Sequence, residues 1–185
     1  AGSALTPAQA ASLVYTPCVN AGGSVSLQFT VTDGGGATSP AVTTTINVTP
    51  VNDAPTAVAD ARGVVEGATS ALSAVLANDS DVEGSPLSAV SFATSPAGTV
   101  VAVNGINTVT TALGGTVTMN TDGSFSYTAP VVTHDAANTP VVDTFVYRAS
   151  DGTDSSAWTT VTLNLNDTTP IAANENGTVA WGTAL

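Results

Sequence analysis

The chain contains an internal repeat with a period of about 115 residues. Residues 29–34 are matched by 147–152, each with an aromatic residue four positions before an Asp-Gly pair. A second match aligns the stretch 55–67 with 170–182. Separate matches that share nearly one period indicate tandem copies of one folding unit, so the chain is not expected to fold as a single continuous domain.

Two joints divide the repeats. Asn52 and Asp53, and the same pair at 166–167, lie shortly before a proline. Proline fixes its own φ and holds the preceding residue in extended geometry, which stiffens each joint. The sequence predicts the C-terminal half of a first unit (1–53), a complete second unit (54–167) and the first strand of a third unit (168–185).

Alternation of apolar and polar residues indicates β-strands. Val25, Leu27 and Phe29 are separated by single polar residues, and residues 159–165 show the same period of two, which is typical of half-buried strands. Asp-Gly and Asn-Gly pairs mark the turns. We therefore predict an all-β fold of antiparallel sandwiches. The predicted core of the second unit consists of Phe145, Tyr147, Val161, Leu163, Leu76 and either Phe125 or Tyr127.

The charge balance limits the possible partners. Fourteen acidic residues face two basic residues, Arg62 and Arg148, and give a net charge of −12. This field repels nucleic acid and anionic membranes, so we expect neither nucleic-acid binding nor direct membrane insertion.

Cys18 is the single cysteine and cannot form a disulfide within the chain. A small domain without disulfides needs another source of stability, for which a metal ion is the obvious candidate.

Acidic residues are concentrated in one loop. Asp79, Asp81 and Glu83 alternate with other residues, and Gly84 permits a sharp turn. Calcium takes about six to eight oxygen ligands, several of them anionic. A solvated acidic loop that binds nothing is the alternative. The predicted calcium ligands are Asn52, Asp53, Asp60, Glu66, Asp79, Asp81 and Glu83.

Catalytic residues are not evident. His134 is the single histidine, which leaves no histidine cluster for zinc and no convincing nucleophilic triad. Asp79 and Asp81 could form an acid–base pair, but no aromatic platform for a sugar accompanies them. We expect Asp151, which precedes a glycine, to cap its turn. The sequence therefore predicts a protein that is not an enzyme.

Several motifs in order resemble a known family. They are V-N-D-A-P at 51–55, L-A-N-D-S-D at 76–81, D-G-S-F-S-Y at 122–127 and F-V-Y at 145–147 ahead of an Asp-Gly pair. In this order the chain resembles the bacterial cadherin-like and immunoglobulin-like tandem repeats of large exported surface adhesins. The resemblance implies immunoglobulin-like or cadherin-like β-sandwiches, calcium at the joints between domains, and a spacer or adhesion role.

The function expected from the sequence is that of an extracellular spacer or adhesin repeat, part of a calcium-stiffened rod on the cell surface. Its expected partners are neighbouring repeats of the same protein. Two alternatives remain open. One is a subunit of an extracellular filament or surface coat, assembled by strand addition between molecules. The other is a module whose loops bind an adhesion ligand.

Overall fold

A computed structural model describes residues 4–133, 139 and 141–167. A short helix, α1 (Pro7–Ala11), precedes a hairpin of two strands, β1 (Gly23–Phe29) and β2 (Val42–Val48). Nine strands follow in the described part of the second unit, with a 3-10 turn, Val75–Asn78, after the second of them. The nine are β3 (Asp60–Val65), β4 (Thr69–Leu72), β5 (Ser88–Ala93), β6 (Val101–Ala102), β7 (Thr108–Thr110), β8 (Thr116–Met119), β9 (Phe125–Thr128), β10 (Val141–Ser150) and β11 (Thr159–Asn166).

The β1–β2 hairpin is amphipathic and exposed. Val25 pairs with Ile46 and Phe29 with Val42 across the antiparallel ladder, so these apolar side chains share one face. Phe29 remains 47% exposed on that face. A two-stranded hairpin is at best marginally stable in water. The division of the chain into three units remains a prediction, and its last part, 168–185, lies outside the described residues.

The second unit is a sandwich of two sheets. A five-stranded sheet has the order β3-β11-β10-β5-β6, and a four-stranded sheet has the order β4-β9-β8-β7. The predicted core is confirmed between them: Phe145, Tyr147, Val161 and Leu163 are all 0% exposed. Both Phe125 and Tyr127 are also buried, whereas Leu76 is partly buried against the core.

One strand pair departs from the expected antiparallel pattern. The outermost strand β3 pairs parallel to β11, with Asp60 beside Val161 and Val65 beside Asn166. Because the two strands run in the same direction, the linker before β3 and the residues at the end of β11 lie at opposite ends of the sandwich. Since a six-residue strand spans about 20 Å, the first and second joints are separated by the length of the unit.

A buried carboxylate joins the two sheets inside the core. Asp143 is 2% exposed and lies on β10. The hydroxyl of Tyr127, on β9 of the opposite sheet, donates to its Oδ2 at 2.7 Å, and Thr111 Oγ1 donates to the same oxygen. The backbone N–H of Thr144 donates to Oδ1 at 2.9 Å. These donors offset the loss of water around the carboxylate.

Candidate metal-binding end of the second unit

The side chain of Asn52 connects the first linker to the loop after β10. Its Nδ2 donates to Asp151 Oδ2 and to Asp154 Oδ2, each at 2.9 Å. These contacts join residues about a hundred positions apart in the chain. Two carboxylates therefore lie around one amide group, whose two N–H bonds offset their mutual repulsion.

The turn at 151–154 holds these carboxylates in place. Asp151 Oδ1 accepts hydrogen bonds from the backbone N–H groups of Thr153 and Asp154, both at 2.7 Å. The expected turn-capping role of Asp151 is thus confirmed, while its other oxygen faces Asn52. These two backbone donors, followed by Asn52, hold the pKa of Asp151 below its usual range, because they stabilise the ionised carboxylate.

The acidic loop approaches the linker from the other side. The backbone N–H of Asp53 donates to Glu83 Oε2 at 3.2 Å. Asp81 Oδ1 accepts from the N–H groups of Glu83 (3.1 Å) and Ser85 (2.9 Å), in a turn that Gly84 closes at φ +77°. Asp81 Oδ2 is buried and has no hydrogen-bond partner in the described structure. This oxygen therefore lacks the hydrogen bond that usually offsets the loss of water around a buried carboxylate.

Asp60 and Asp79 lie deeper, under the same end of the sandwich. The Tyr147 hydroxyl donates to Asp79, at 2.8 Å from Oδ2 and 3.0 Å from Oδ1, and Val58 N–H donates to Oδ1 at 2.8 Å. Asp60 Oδ1 forms an ion pair of 3.1 Å with Arg62. Burial raises the pKa of Asp60, although the Arg62 charge opposes this shift.

Glu66 lies at the opposite end of β3. Its backbone N–H donates to the carbonyl of Asn166 at 3.2 Å, and its Oε2 accepts from Val132 N–H at 3.0 Å. Because β3 and β11 are parallel, this position belongs to the second joint rather than the first. The seven predicted ligands are therefore divided between the first joint, a buried network beneath it and the far end of the unit.

A family model for the bacterial cadherin-like domain matches residues 52–167, more than half of the chain. The chain belongs to the bacterial cadherin-like family. Domains of this family have adhesion or surface-repeat roles, occur in exported proteins and are typically not enzymes. The family generally binds calcium. A search of curated proteins gives no match.

The described part of this cadherin-like chain contains neither a preformed metal cluster nor a membrane-spanning helix. Over the ranges 4–133 and 141–167 with residue 139, no group of three or more His, Cys, Asp or Glu side chains is arranged to hold a metal ion. Within the same residues, no helix has the length and apolar character required to cross a membrane. The contact of Asn52 with Asp151 and Asp154 contains only two such side chains.

Asp154 is the residue that sequence reasoning missed, and Asp151 was assigned only its turn-capping role. The available signal was the pattern Asp-Gly-Thr-Asp at 151–154, which places two carboxylates on one tight turn. What the sequence does not provide is the long-range contact between this turn and Asn52.

Proposed function

We propose that this chain is a structural repeat of an extracellular rod, serving as a spacer or adhesin segment at a cell surface and having no catalytic activity. The observation that supports this best is the separation of the two joints. Asn52 lies at one end of the sandwich and Asn166 at the other, because β3 and β11 run parallel. Units connected in this way extend end to end rather than folding back on each other.

We further propose that calcium stiffens the first joint. Asp151 and Asp154 present two carboxylate oxygens within 2.9 Å of one atom of the linker. Rotation of the Asn52 amide would replace its N–H donors by Oδ1, giving three oxygen donors of the kind that calcium prefers. Asp53, Asp81 and Glu83 would move toward this pair to supply further carboxylates, since no three such side chains are grouped in the described residues. Asp81 Oδ2 has no hydrogen-bond partner there.

These residues fit a hard divalent cation in their chemistry. The ion would supply positive charge at a crowded acidic end of a protein whose net charge is −12. It would also connect the linker to the unit that follows, since Asn52 and Asp154 lie on opposite sides of the contact. A ligand role for Asp60, Glu66 and Asp79 stays a prediction, and Arg62, Val132 and Tyr147 already engage these three carboxylates.

The test compares unfolding temperature in millimolar calcium with unfolding temperature in chelator. A ligand that binds only the folded state stabilises it by about 2.7 kcal/mol at a hundredfold excess over Kd. We expect calcium to raise the unfolding temperature of the parent chain, and Asp154→Asn to remove most of that increase. Asp122→Asn is the matched control, because Asp122 is an exposed turn residue whose carboxylate accepts from Ser124. An unfolding temperature of the parent chain that is the same in chelator and in calcium would overturn the proposal.

A second candidate function is assembly of the chain with other copies. It is favoured by the apolar face of β1–β2, where Val25, Leu27 and Phe29 are 38%, 44% and 47% exposed. A neighbouring repeat would cover this face, either from the same polypeptide or from another molecule. In the second case, strand addition at an edge of the β1–β2 hairpin would join the two molecules. Analytical ultracentrifugation tests the second route. If copies assemble, the measured mass should exceed that of the monomer. The variant Phe29→Asp should then have the mass of the monomer.

A further inference from the structure

We propose that, in the metal-free protein, Asn52 is a latch that fixes the linker to the second unit, and that the first joint consequently bends at Val51. The proposal rests on where hydrogen bonds begin along the linker. Because the latch acts in the metal-free protein, it can be tested independently of calcium binding.

From Asn52 onward the linker is bonded to the second unit at short intervals. Asn52 donates to Asp151 and Asp154, and Asp53 N–H donates to Glu83. Thr56 and Ser80 then exchange two backbone hydrogen bonds of 2.8 and 3.0 Å. The linker therefore moves as part of the second unit, starting at Asn52.

Pro50, by contrast, belongs to the hairpin. It lies so close to Gly22 that a Cβ added to this glycine would be 2.5 Å from Pro50 Cγ. Gly22 immediately precedes β1, so Pro50 packs on the same body as the strands. The residue between this contact and the Asn52 latch is Val51, which is 79% exposed.

The free rotations of the joint are accordingly few. The ring of Pro50 fixes its φ, which leaves ψ of Pro50, the two backbone angles of Val51 and φ of Asn52. In the described structure, residues 49–51 form no hydrogen bond to either body. Loss of the Asn52 side chain would move the first anchored residue to Asp53. Additional loss of the Glu83 carboxylate would move it to Thr56.

Pulsed electron paramagnetic resonance in chelator tests the latch. One spin label is placed on the hairpin (Gln28→Cys) and one on the second unit (Thr108→Cys), both exposed positions. Cys18→Ser removes the native thiol, which lines the surface hollow beside Val51. The quantity measured is the width of the distance distribution between the labels.

We expect the distance distribution to be broader in Asn52→Ala than in the parent. In the double variant Asn52→Ala and Glu83→Ala it should be about twofold wider than in the parent, because chain dimensions grow with the square root of the number of free residues. Asn52→Asp is a second, nearly isosteric variant. It should also broaden the distribution, because a third carboxylate repels Asp151 and Asp154 instead of donating to them. Asn120→Ala is the matched control, since Asn120 donates locally to Ser124. Widths for Asn52→Ala and Asn52→Asp equal to those of the parent would overturn the latch.

Discussion

Replacement of Tyr147 by Phe is the sharpest test of the polar network beneath the first joint. The Tyr147 ring is 0% exposed, and the hydroxyl donates to both oxygens of Asp79. Phe keeps the ring and removes only this donor. Asp79 would then retain the Val58 N–H but lose its second donor near Asp60, whose own pKa is raised chiefly by burial and further by the charge of Asp79.

The expected cost follows from the charge of the acceptor. A hydrogen bond to a charged group contributes about 1.5–3 kcal/mol, more than a bond between neutral groups. We therefore expect Tyr147→Phe to lower the free energy of unfolding by about 2 kcal/mol. Tyr147→Ala should cost about 3–5 kcal/mol, because it also empties a buried site. Tyr15→Phe is the control, since Tyr15 is 41% exposed.

The measurement is urea unfolding at neutral pH, with the slope m required to stay constant between variants. A double-mutant cycle with Asp79→Asn isolates the pair, because coupled residues do not add. We expect Asp79→Asn to cost clearly less in the Tyr147→Phe background than in the parent chain. A loss below about 0.5 kcal/mol for Tyr147→Phe, the size of an ordinary surface substitution, would show that the hydroxyl does not stabilise Asp79.

Two further predictions concern the core. Burial raises the pKa of Tyr127 and of Tyr147 well above the ordinary value of 10.0. Above pH 10 these tyrosines therefore ionise in the unfolded chain but not in the folded one. Their contribution to stability is complete below pH 10 and is lost as the pH rises further. Urea unfolding should therefore show a free energy about 3 kcal/mol lower at pH 11 than at pH 9, and Tyr127→Phe should halve that difference; a flat profile would contradict the burial of both hydroxyls. Gly115→Ala would place a Cβ against the Tyr127 hydroxyl, closer than a Cβ can approach unless its neighbour shifts, and should cost about 1–3 kcal/mol by overpacking. Gly34→Ala has no neighbour within 4 Å and serves as its control in urea unfolding. Equal free energies of unfolding for the two variants would refute the close packing.

Much of the fold was predictable because its causes are local. The alternation at 159–165 determines which side chains of β11 face inward, since successive residues of a strand point to opposite faces. Val161 and Leu163 are accordingly buried. The Asp-Gly pair at 151–152 likewise predicts a turn, and Gly152 adopts φ +97° there. These properties depend on a few neighbouring residues and are therefore written in the sequence.

The position of the acidic residues was decided by the tertiary structure. Asp60 and Glu66 are six positions apart, yet one lies under the first joint and the other at the second, because the parallel pairing of β3 with β11 extends between them. The contact of Asn52 with Asp151 and Asp154 joins residues about a hundred positions apart and so depends on the tertiary structure. Alternation specifies which face of a strand is buried, but not which distant strand or loop will lie beside it. That choice depends on how the complete chain packs its core, which brings the linker and the 151–154 turn to the same end of the molecule.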